Sequence, residues 1–264
     1  MSDYHINTKK TSFFEGWYFK NQTNKATIAF IPSINIDADG KKRAFIQIIT
    51  DTQSFQAEYP YSTVYMDPEN FLIKIGTSSF SLKGISLDIE IEHLKIQGDL
   101  SYRDCVPLKY DIMGPFSVIP FMECNHGVLS LSHEINGTLL INEKNLVFDQ
   151  GIGYIEKDWG HSFPKTYLWT QCNVFDTDQA SIMVSIADIP FLGTTFRGCI
   201  GVVYYRGVEY RLATYKRVKI LKCDSTGVIL RQGEDRLEIT FLAGGGHSLL
   251  APDAGTMSRT IHEN

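Results

Sequence analysis

The stretch ISLDIEIE, residues 85–92, decides the fold class, because apolar and polar residues alternate along it without a break. Its four aliphatic residues, from Ile85 to Ile91, would face one side of a β-strand, and the polar residues between them would face the other. One solvent-exposed face and one buried face are typical of an antiparallel sheet. We therefore predict a half-buried antiparallel strand here.

Strand-like runs lie on both sides of this stretch and are separated by turn signals. Residues 11–35 contain a strand, a polar turn at Asn21–Asn24 and a second apolar strand, which predicts a hairpin. Further along, Asn136-Gly137 is typical of a two-residue hairpin turn. No segment shows the period of a helix, so we predict an all-β fold of the sandwich or barrel class.

A proline-containing stretch interrupts the strand pattern between residues 105 and 127. Prolines are confined to turns, edges and strand ends, so this stretch is expected to connect two units. We place the boundary there, which predicts an N-terminal β domain of residues 1–117 and a C-terminal β domain of residues 118–264.

Composition excludes several classes of function. The formal net charge of −5 provides no basic field for nucleic acid. The N-terminus lacks the apolar core of a signal peptide, and no apolar run approaches the roughly 18 residues that span a bilayer, so a cytoplasmic protein is expected. The five cysteines include no CxxC pair and the seven histidines no HxH or HExxH, so neither a disulfide framework nor a metal site is predicted.

Charge and aromatic residues concentrate in GIGYIEKDWGHSFPKTYLWTQCN, residues 151–173. Two extended runs, ending near Asp158 and restarting near Thr166, predict a hairpin-like pair with a longer loop. Alternation would place Tyr154, Glu156 and Asp158 on one face of the first strand. The face expected to carry polar and aromatic groups on the second strand consists of Tyr167, Trp169, Gln171 and Asn173.

Glu156 and Asp158 are the candidate acid and base groups of this stretch. Two enclosed carboxylates this close disfavour double ionisation, so one of them could keep its proton at neutral pH and act as an acid. The alternative is a structural ion-pair network with Lys157, Lys165 or arginine side chains, and the sequence leaves both open.

Two histidines and a further carboxylate are the other titratable candidates. His133 falls on the predicted face of Leu129 and Leu131, where it would either be hydrogen-bonded in the core or transfer protons, together with His126. On the first strand, Glu15 shares a face with Trp17 and is either paired internally or positioned for a ligand.

Four stretches resemble the tocopherol cyclase family, and more distantly the carotenoid hydratases of the hydroxyneurosporene synthase type. Members of this group are built as two consecutive lipocalin-like antiparallel β-barrels, so the resemblance implies that fold and a buried apolar cavity for a prenyl-type or polyene ligand. The matching stretches are FEGWYFK at 14–20, GPF at 114–116 with PFMECNHGVLSLSHEINGTL at 120–139, GIGYIEKDWGHSFPKTYLWTQCN at 151–173, and LLAPDAGTM at 249–257.

The resemblance also implies a reaction that needs no cofactor. Cyclases of this family protonate the alkene of a prenylated quinol, and the phenolic oxygen captures the cation, whereas hydratases finish with water. The roles implied here are Asp158 or Glu156 as acid, His133 or His126 as proton relay, Trp17, Trp159 and Trp169 as cation-stabilising wall, Glu15 as a ligand contact, and Tyr154, Gln171 and Asn173 as orienting groups.

Two departures from the family qualify these expectations. Plant members carry Asn at the position of Asp158, which favours Glu156 as the acid. The family usually continues beyond the LLAPDAGTM stretch, whereas this chain stops at Asn264, which leaves closure of the second barrel open.

A non-catalytic function is the alternative, because lipocalin-like barrels often bind a lipid or pigment without reacting with it. In both cases the expected partner is an apolar small molecule, and transient membrane contact would let the protein collect it. The sequence indicates no oligomeric state.

Overall fold

Antiparallel pairing organises the structure, a computed structural model that describes residues 4–119, 122–176, 179–191, 193–242 and 247–263. Every strand pairing in these ranges is antiparallel, and the helical segments are single 3₁₀ turns. These short turns are Ile6–Thr8, Tyr61–Thr63, Gly114–Val118 and Thr214–Lys216. The predicted all-β, barrel-like class is confirmed.

An eleven-stranded curled sheet, called the large sheet, forms the first part of the structure. Its strand order is β4-β3-β2-β1-β11-β10-β9-β8-β7-β6-β5. In chain order the strands are β1 (Phe13–Gln22), β2 (Thr27–Ile36), β3 (Lys42–Thr50), β4 (Ser54–Tyr59), β5 (Val64–Asp67), β6 (Leu72–Ile75), β7 (Ser78–Ser81), β8 (Gly84–Ile91), β9 (Leu94–Arg103), β10 (Cys124–Ile141) and β11 (Lys144–Gly160).

Three smaller sheets follow in sequence. They contain four, three and two strands, each in simple sequential order. Their strands are β12 (Tyr167–Cys172), β13 (Ala180–Phe191), β14 (Thr194–Tyr205) and β15 (Val208–Ala213), then β16 (Lys219–Asp224), β17 (Gly227–Gln232) and β18 (Asp235–Thr240), then β19 (His247–Asp253) and β20 (Thr256–Glu263).

The large sheet is buried on both faces near β1. The face that carries Trp17, Phe30 and Ile89 encloses the main hydrophobic core and is called the inner face. The opposite face, which carries Tyr18 and Ser33, is called the outer face and is covered by the three smaller sheets. Because curling brings β4 near β8 across the core, the inner face is sealed by its own strands.

Two local predictions from the sequence are confirmed. Residues 85–91 lie in β8, where the isoleucines and Leu87 are more buried than the polar residues between them. Residues 13–36 form the predicted hairpin, with β1 and β2 joined by a turn that Thr23 closes by hydrogen bonds to Ala26.

The hairpin predicted at Asn136-Gly137 is wrong, because β10 runs straight through this dipeptide. Gly137 serves a different purpose: a Cβ there would lie 2.2 Å from the carbonyl oxygen of Asp99 on β9. The backbones of β10 and β9 therefore approach closely here, and the pairing of β10 with β11 on its other side is irregular between Ile135 and Gly137. Leu139 beyond it stays fully buried, so the apolar pattern continues past the turn signal.

The hairpin-like pairing predicted within residues 151–173 is also wrong. β11 pairs with β1 and β10 of the large sheet, whereas β12 pairs with β13 of the next sheet. The connection at residues 161–166 thus carries the chain from one sheet to another. The two runs face each other across an interior instead of sharing a ladder.

Strand pairing crosses the position chosen for the domain boundary. β10 and β11 follow residue 118, yet they pair with β9 and β1 inside the large sheet. The division into residues 1–117 and 118–264 stays a prediction. Within the described ranges, no helix has the length and apolar character needed to cross a bilayer.

The close approach at Gly137 predicts a large cost for adding a side chain. We expect Gly137→Ala to lower the free energy of unfolding by about 3 kcal/mol, because backbone must move to admit the methyl group. Gly207→Ala is the matched control: Gly207 also has a positive φ, of 79°, but nothing lies within 4 Å of its Cβ position. Gly207→Ala should lower the free energy of unfolding by only about 1 kcal/mol. Urea denaturation measures both variants. Equal costs would contradict the close-approach argument.

Candidate active site

A cavity of about 1520 Å³ lies between the outer face of the large sheet and the smaller sheets. Apolar and aromatic side chains form most of its wall, and polar groups reach it both from the large sheet and from the smaller sheets. The large sheet and its connections contribute Phe14, Gly16, Tyr18, Ile31, Ser33, Gln47, Met113, Phe116, Met122, Cys124, His126, Glu156 and Asp158, and the opposite wall includes Phe163, Tyr167, Trp169, Gln171, Ile182, Ser185, Ile200, Leu249, Pro252 and Met257.

Alternation along β11 selects the acidic groups that reach this cavity. Tyr154, Glu156 and Asp158 share the outer face, as predicted, while Ile155 and Lys157 point into the inner face. Since both faces are enclosed, neither set of charges can be left to bulk water.

His126 lies between the two carboxylates. Its Nδ1 is 2.8 Å from Asp158 Oδ1, and its Nε2 is 3.3 Å from Glu156 Oε2. The first contact is a hydrogen bond, whereas the second is a close ion pair that lacks hydrogen-bond alignment. The cross-strand register opposes His126 on β10 to Asp158 on β11, so the sheet itself fixes this pairing.

The electrostatic balance at His126 favours the charged ring. Burial alone would lower its pKa, but the negative charges of Asp158 and Glu156, together with the hydrogen bond to Asp158, outweigh that effect. The pKa of His126 is therefore held well above its usual value, and the imidazole is protonated at neutral pH. Two carboxylates around one imidazolium leave this cluster one negative charge in excess when both are ionised.

Glu156 is held by two further donors. The Tyr154 hydroxyl donates to Glu156 Oε2 at 2.6 Å, and the indole Nε1 of Trp169 donates to the same oxygen at 3.1 Å. Burial, followed by the charge of Glu156, raises the pKa of Tyr154 well above its usual value, so the phenol remains a donor. The bond from Trp169 links β12 to β11 across the cavity wall.

Asp158 is the carboxylate of this cluster that is more open to the cavity. Its side chain is 24% exposed, compared with 6% for Glu156. The Cys124 thiol lies 3.9 Å from its Oδ1, and burial raises the pKa of that thiol well above its usual value, so Cys124 is no nucleophile. Asp158 is therefore the carboxylate of this cluster that a ligand in the cavity would contact more readily.

The same three groups could supply ligand atoms to a metal ion. One atom from each of His126, Glu156 and Asp158 lies within 4.8 Å of the others. However, both imidazole nitrogens already face a carboxylate oxygen, and a single ring offers only one nitrogen to a metal. The donor set fits a proton-sharing cluster better than a metal centre.

Gln171 and Asn173 lie beside this cluster, and both accept hydrogen bonds from a separate cation, Lys20. Lys20 Nζ donates to Gln171 Oε1 at 3.0 Å and to Asn173 Oδ1 at 3.4 Å. Asn173 also donates to the carbonyl of Gly153 at 2.7 Å, which holds the end of β12 against β11. Gln171 lines the cavity, whereas Asn173 is buried behind it.

The tryptophan wall expected from the sequence is present only at Trp169. Trp17 is fully buried in the inner core, where its ring meets Tyr4 edge to face at 5.6 Å. Trp159 also packs on the inner side and stacks on His5 at 4.7 Å. Trp17 is an odd-numbered residue of β1, whereas the aromatic residues that β1 contributes to the cavity are the even-numbered Phe14 and Tyr18, which sequence reasoning missed.

Glu15 is paired internally and does not line the cavity. It accepts from Lys157 Nζ at 2.6 Å and from the backbone of His5 and Ile6 at 3.1 and 2.9 Å. Burial would raise the pKa of Glu15, but the bonds from His5 and Lys157 lower it overall. The structural alternative holds for this residue.

His133 lies on the inner side instead of with the acidic cluster. Register shifts in β10 between Val128 and His133 break the alternation that would have placed it beside Leu131. Its ring lies against Tyr102 at 4.4 Å and fills the space above Gly153, whose Cβ would be 2.0 Å from Nε2. Burial lowers the pKa of His133 to about 3, so the ring is neutral and is no proton relay.

Comparison with protein families gives a match over just over half of the chain. The profile of the family described as tocopherol cyclase-like matches residues 93–228. This range contains His126, Glu156 and Asp158, together with Trp169 on the opposite wall.

Two plant proteins show limited sequence similarity. The chloroplastic tocopherol cyclase of Zea mays is 28% identical over 74 residues, and the probable chloroplastic tocopherol cyclase of Oryza sativa subsp. japonica is 27% identical over 74 residues. Each alignment covers 28% of this chain, and the chain matches only 16% of the length of each plant protein.

A solved structure shares the overall architecture. Kievitone hydratase from Nectria haematococca superposes with a TM-score of 0.50 at 15% sequence identity, over 86% of this chain and 74% of that chain. At this identity the similarity supports the barrel-like fold alone.

The neutral, buried state of His133 predicts a pH-dependent stability. Its folded-state pKa of about 3 lies below the ordinary 6.5, so the unfolded chain takes up the proton first and stability is lost as pH falls below 6.5. Between pH 6 and 4, wild type should lose about 1.4 kcal/mol per pH unit more than His133→Asn. Urea unfolding across this range measures the difference. Parallel profiles of stability against pH for wild type and His133→Asn would contradict this prediction. Glu15 and His126 titrate in both proteins, so their contributions cancel in the comparison.

The internal pair predicts that Glu15 and Lys157 depend on each other. Glu15→Gln should lower the free energy of unfolding by about 3 kcal/mol, because Lys157 would remain buried without a carboxylate. The exposed pair Glu58 and Arg43 provides the control, and Glu58→Gln should cost less than about 1 kcal/mol. Adding Lys157→Met to Glu15→Gln should restore part of the loss. A double variant as unstable as the sum of both changes would contradict the coupling.

Proposed function

Because this chain belongs to the tocopherol cyclase-like family, we propose that it protonates an alkene of an apolar prenylated substrate and so starts a cyclisation or a hydration. The observation that carries this proposal is the protonated His126 held between Glu156 and Asp158 in the wall of a largely apolar cavity. Such a cluster keeps a proton available beside an apolar wall, among groups that are themselves largely buried.

Asp158 is the proton donor in this proposal. Oε2 of Glu156 already accepts from Tyr154 and Trp169, whereas Asp158 is the more exposed of the two carboxylates to the cavity. Two carboxylates and one imidazolium together carry one excess negative charge. One further proton makes the cluster neutral, which suits an apolar enclosure. After the proton leaves, the His126 imidazolium at 2.8 Å stabilises the carboxylate that forms.

The reaction balances without oxidation or reduction, and therefore needs no cofactor. The alkene's π electrons form a new C–H bond with the Asp158 proton, which leaves a tertiary cation. The faces of Tyr18 and Trp169, in edge contact at 5.5 Å, lie in the cavity wall where they can stabilise that cation. In a cyclisation the substrate's own hydroxyl oxygen then bonds to the cationic carbon, which closes the ring, and returns its proton to Asp158. In a hydration the oxygen of a water molecule bonds to the cationic carbon, and that water returns one proton to Asp158.

Carriage of a lipid or pigment is the competing function. A carrier requires the cavity and its apolar wall, but it has no use for three ionisable groups gathered on one side of it. Since Glu156 and Asp158 face the cavity instead of surface lysines, the catalytic function is the better supported of the two.

Asp158→Asn tests the assignment of the acid. With a prenylated hydroquinone as substrate, we expect kcat to fall by about 10²- to 10⁴-fold while the dissociation constant changes little, because only the transferable proton is lost. Mass spectrometry identifies the product: equal mass with altered retention means cyclisation, and a gain of one water means hydration.

Asp99→Asn is the control, since Asp99 is an exposed residue of β9 in the same sheet. It should leave turnover unchanged. Full turnover by Asp158→Asn would refute Asp158 as the acid, and a tightly bound ligand returned unchanged by wild type would identify a carrier.

A further inference from the structure

Two basic side chains line the cavity outside the acidic cluster. Lys165 belongs to the connection between β11 and β12, and Arg259 lies on β20. The guanidinium of Arg259 donates at 2.7 Å to the carbonyl oxygen of Pro164, the residue directly before Lys165, so the two basic residues are neighbours. Together they are called the basic pair.

No carboxylate of the described ranges neutralises the basic pair. Lys165 is exposed, and its ammonium has no hydrogen-bond or ion-pair partner among the described residues. The half-buried Arg259 donates to the carbonyl oxygens of Phe163 and Pro164, and its guanidinium lies 5.8 Å from the ring centre of Tyr167. A guanidinium has five N–H donors, so these two hydrogen bonds fix its plane and leave other donors for a ligand.

The carboxylates that line the cavity elsewhere have basic partners of their own. Asp224 lies 3.7 Å from the ammonium of Lys222, and Glu238 accepts a hydrogen bond from Arg236 at 2.9 Å. Both carboxylates belong to exposed residues, where water and salt also screen them. Among the described residues of the cavity wall, the basic pair is therefore where positive charge is in excess.

Aromatic rings connect the basic pair with the acidic cluster. The ring of Tyr167 lies 5.8 Å from that of Phe163, which lies 5.3 Å from that of Phe14, and all three residues line the cavity. Phe14 is two positions from Gly16, the cross-strand partner of Asp158, and residues two apart on a strand share a face. An apolar chain can thus lie along these rings, with one end at the basic pair and the other at the acidic cluster.

We propose that the basic pair binds the carboxylate head group of an apolar ligand whose chain runs along these rings toward Asp158. The planar guanidinium of Arg259 presents its N–H donors in a fork that matches a carboxylate, and Lys165 adds a second positive charge. The proposal rests on the proposed function, and it defines the substrate class of the cavity as isoprenoid acids.

The charges at the two ends of the cavity set the direction of the ligand. The acidic cluster has no positive charge in excess, so a carboxylate is bound more favourably at the basic pair. The opposite end of the isoprenoid chain, with its terminal alkene, then lies beside Asp158. Arg259 is thus a residue that selects the head group and orients the chain.

An acid and its neutral ester test the proposal by direct binding. The probes are farnesoic acid and methyl farnesoate, which have the same chain and differ in charge, each titrated at neutral pH by tryptophan fluorescence. Wild type should bind the acid about 10-fold more tightly than the ester, the value of one charge-assisted hydrogen bond to a partly exposed cation. Equal binding of the acid and the ester by wild type would refute the proposal.

Variants of the basic pair separate head-group binding from a structural role. Arg259→Gln should raise the dissociation constant of the acid to within about 3-fold of that of the ester, while the ester's stays unchanged. Arg259→Lys should keep part of the preference, because the charge remains and the planar fork is lost. Lys165→Gln should lower the preference about 2- to 3-fold.

Lys83→Gln is the matched control for charge, since Lys83 is an exposed lysine between β7 and β8 that does not line the cavity. It should leave the preference unchanged. If Arg259→Gln weakens both probes equally, Arg259 only holds the connection at residues 163–164, and the proposal is refuted.

Vesicles distinguish a bound acid from a membrane surface as the source of negative charge. Sedimentation with vesicles of phosphatidylglycerol and of phosphatidylcholine measures that contact. If wild type prefers the anionic vesicles, Arg259→Gln loses this preference, and the acid and the ester bind equally, the basic pair contacts lipid head groups and the proposal is refuted.

The binding measurements do not depend on turnover, so the two proposals can fail separately. If wild type converts neither a prenylated hydroquinone nor farnesoic acid, but the preference for the acid exists and disappears in Arg259→Gln, the head-group site stands and the proposed reaction fails. If the hydroquinone is converted but the acid and the ester bind equally, the head-group site is refuted and the proposed reaction stands.

Discussion

The cost of burying charge on both faces of β11 constrains this structure more than any other interaction. The strand lies in the middle of a sheet that is covered on both sides, and it carries ionisable groups alternately toward each side. An unpaired charge in such a place is too costly to keep, so each face must supply partners of its own. The two faces do so in different ways.

On the inner face the charges balance one to one. Lys157 meets Glu15 at 2.6 Å, the carboxylate accepts two backbone N–H groups, and rings of Tyr4, Trp17 and Trp159 surround the ammonium within 6 Å. The side chains of Lys157 and Glu15 are 4% and 0% exposed, so this pair offers no group to a ligand. On the outer face two carboxylates share one imidazolium, so the charges do not balance until a further proton is bound. The proposed proton transfer uses this imbalance of charge beside the cavity.

The sequence predicted the strands and the sharing of faces, but not which face was which. Alternation correctly grouped Tyr154 with Glu156 and Asp158, because a strand's period is independent of what covers it. The choice between faces on β1 could not be made in the same way, since both are buried and both carry aromatic groups. Glu15 and Trp17 formed the more conspicuous pattern and turned out to face the core, while the cavity took Tyr18 and the empty position at Gly16. His133 failed for another reason: register shifts within β10 moved it to the other side, and no residue pattern signals them.

Two glycines near the acidic cluster show how the meaning of an absent side chain depends on its surroundings. Above Gly153 the space is taken by the ring of His133, so that glycine exists to let an internal side chain pack. Above Gly16 the nearest atom is Ser33 Cβ at 3.3 Å, and the space beyond belongs to the cavity. One gap is filled by the protein and the other is not. The unfilled gap lies beside Asp158, the carboxylate of the acidic cluster that is more open to the cavity, so the cavity reaches the backbone of the large sheet at that point.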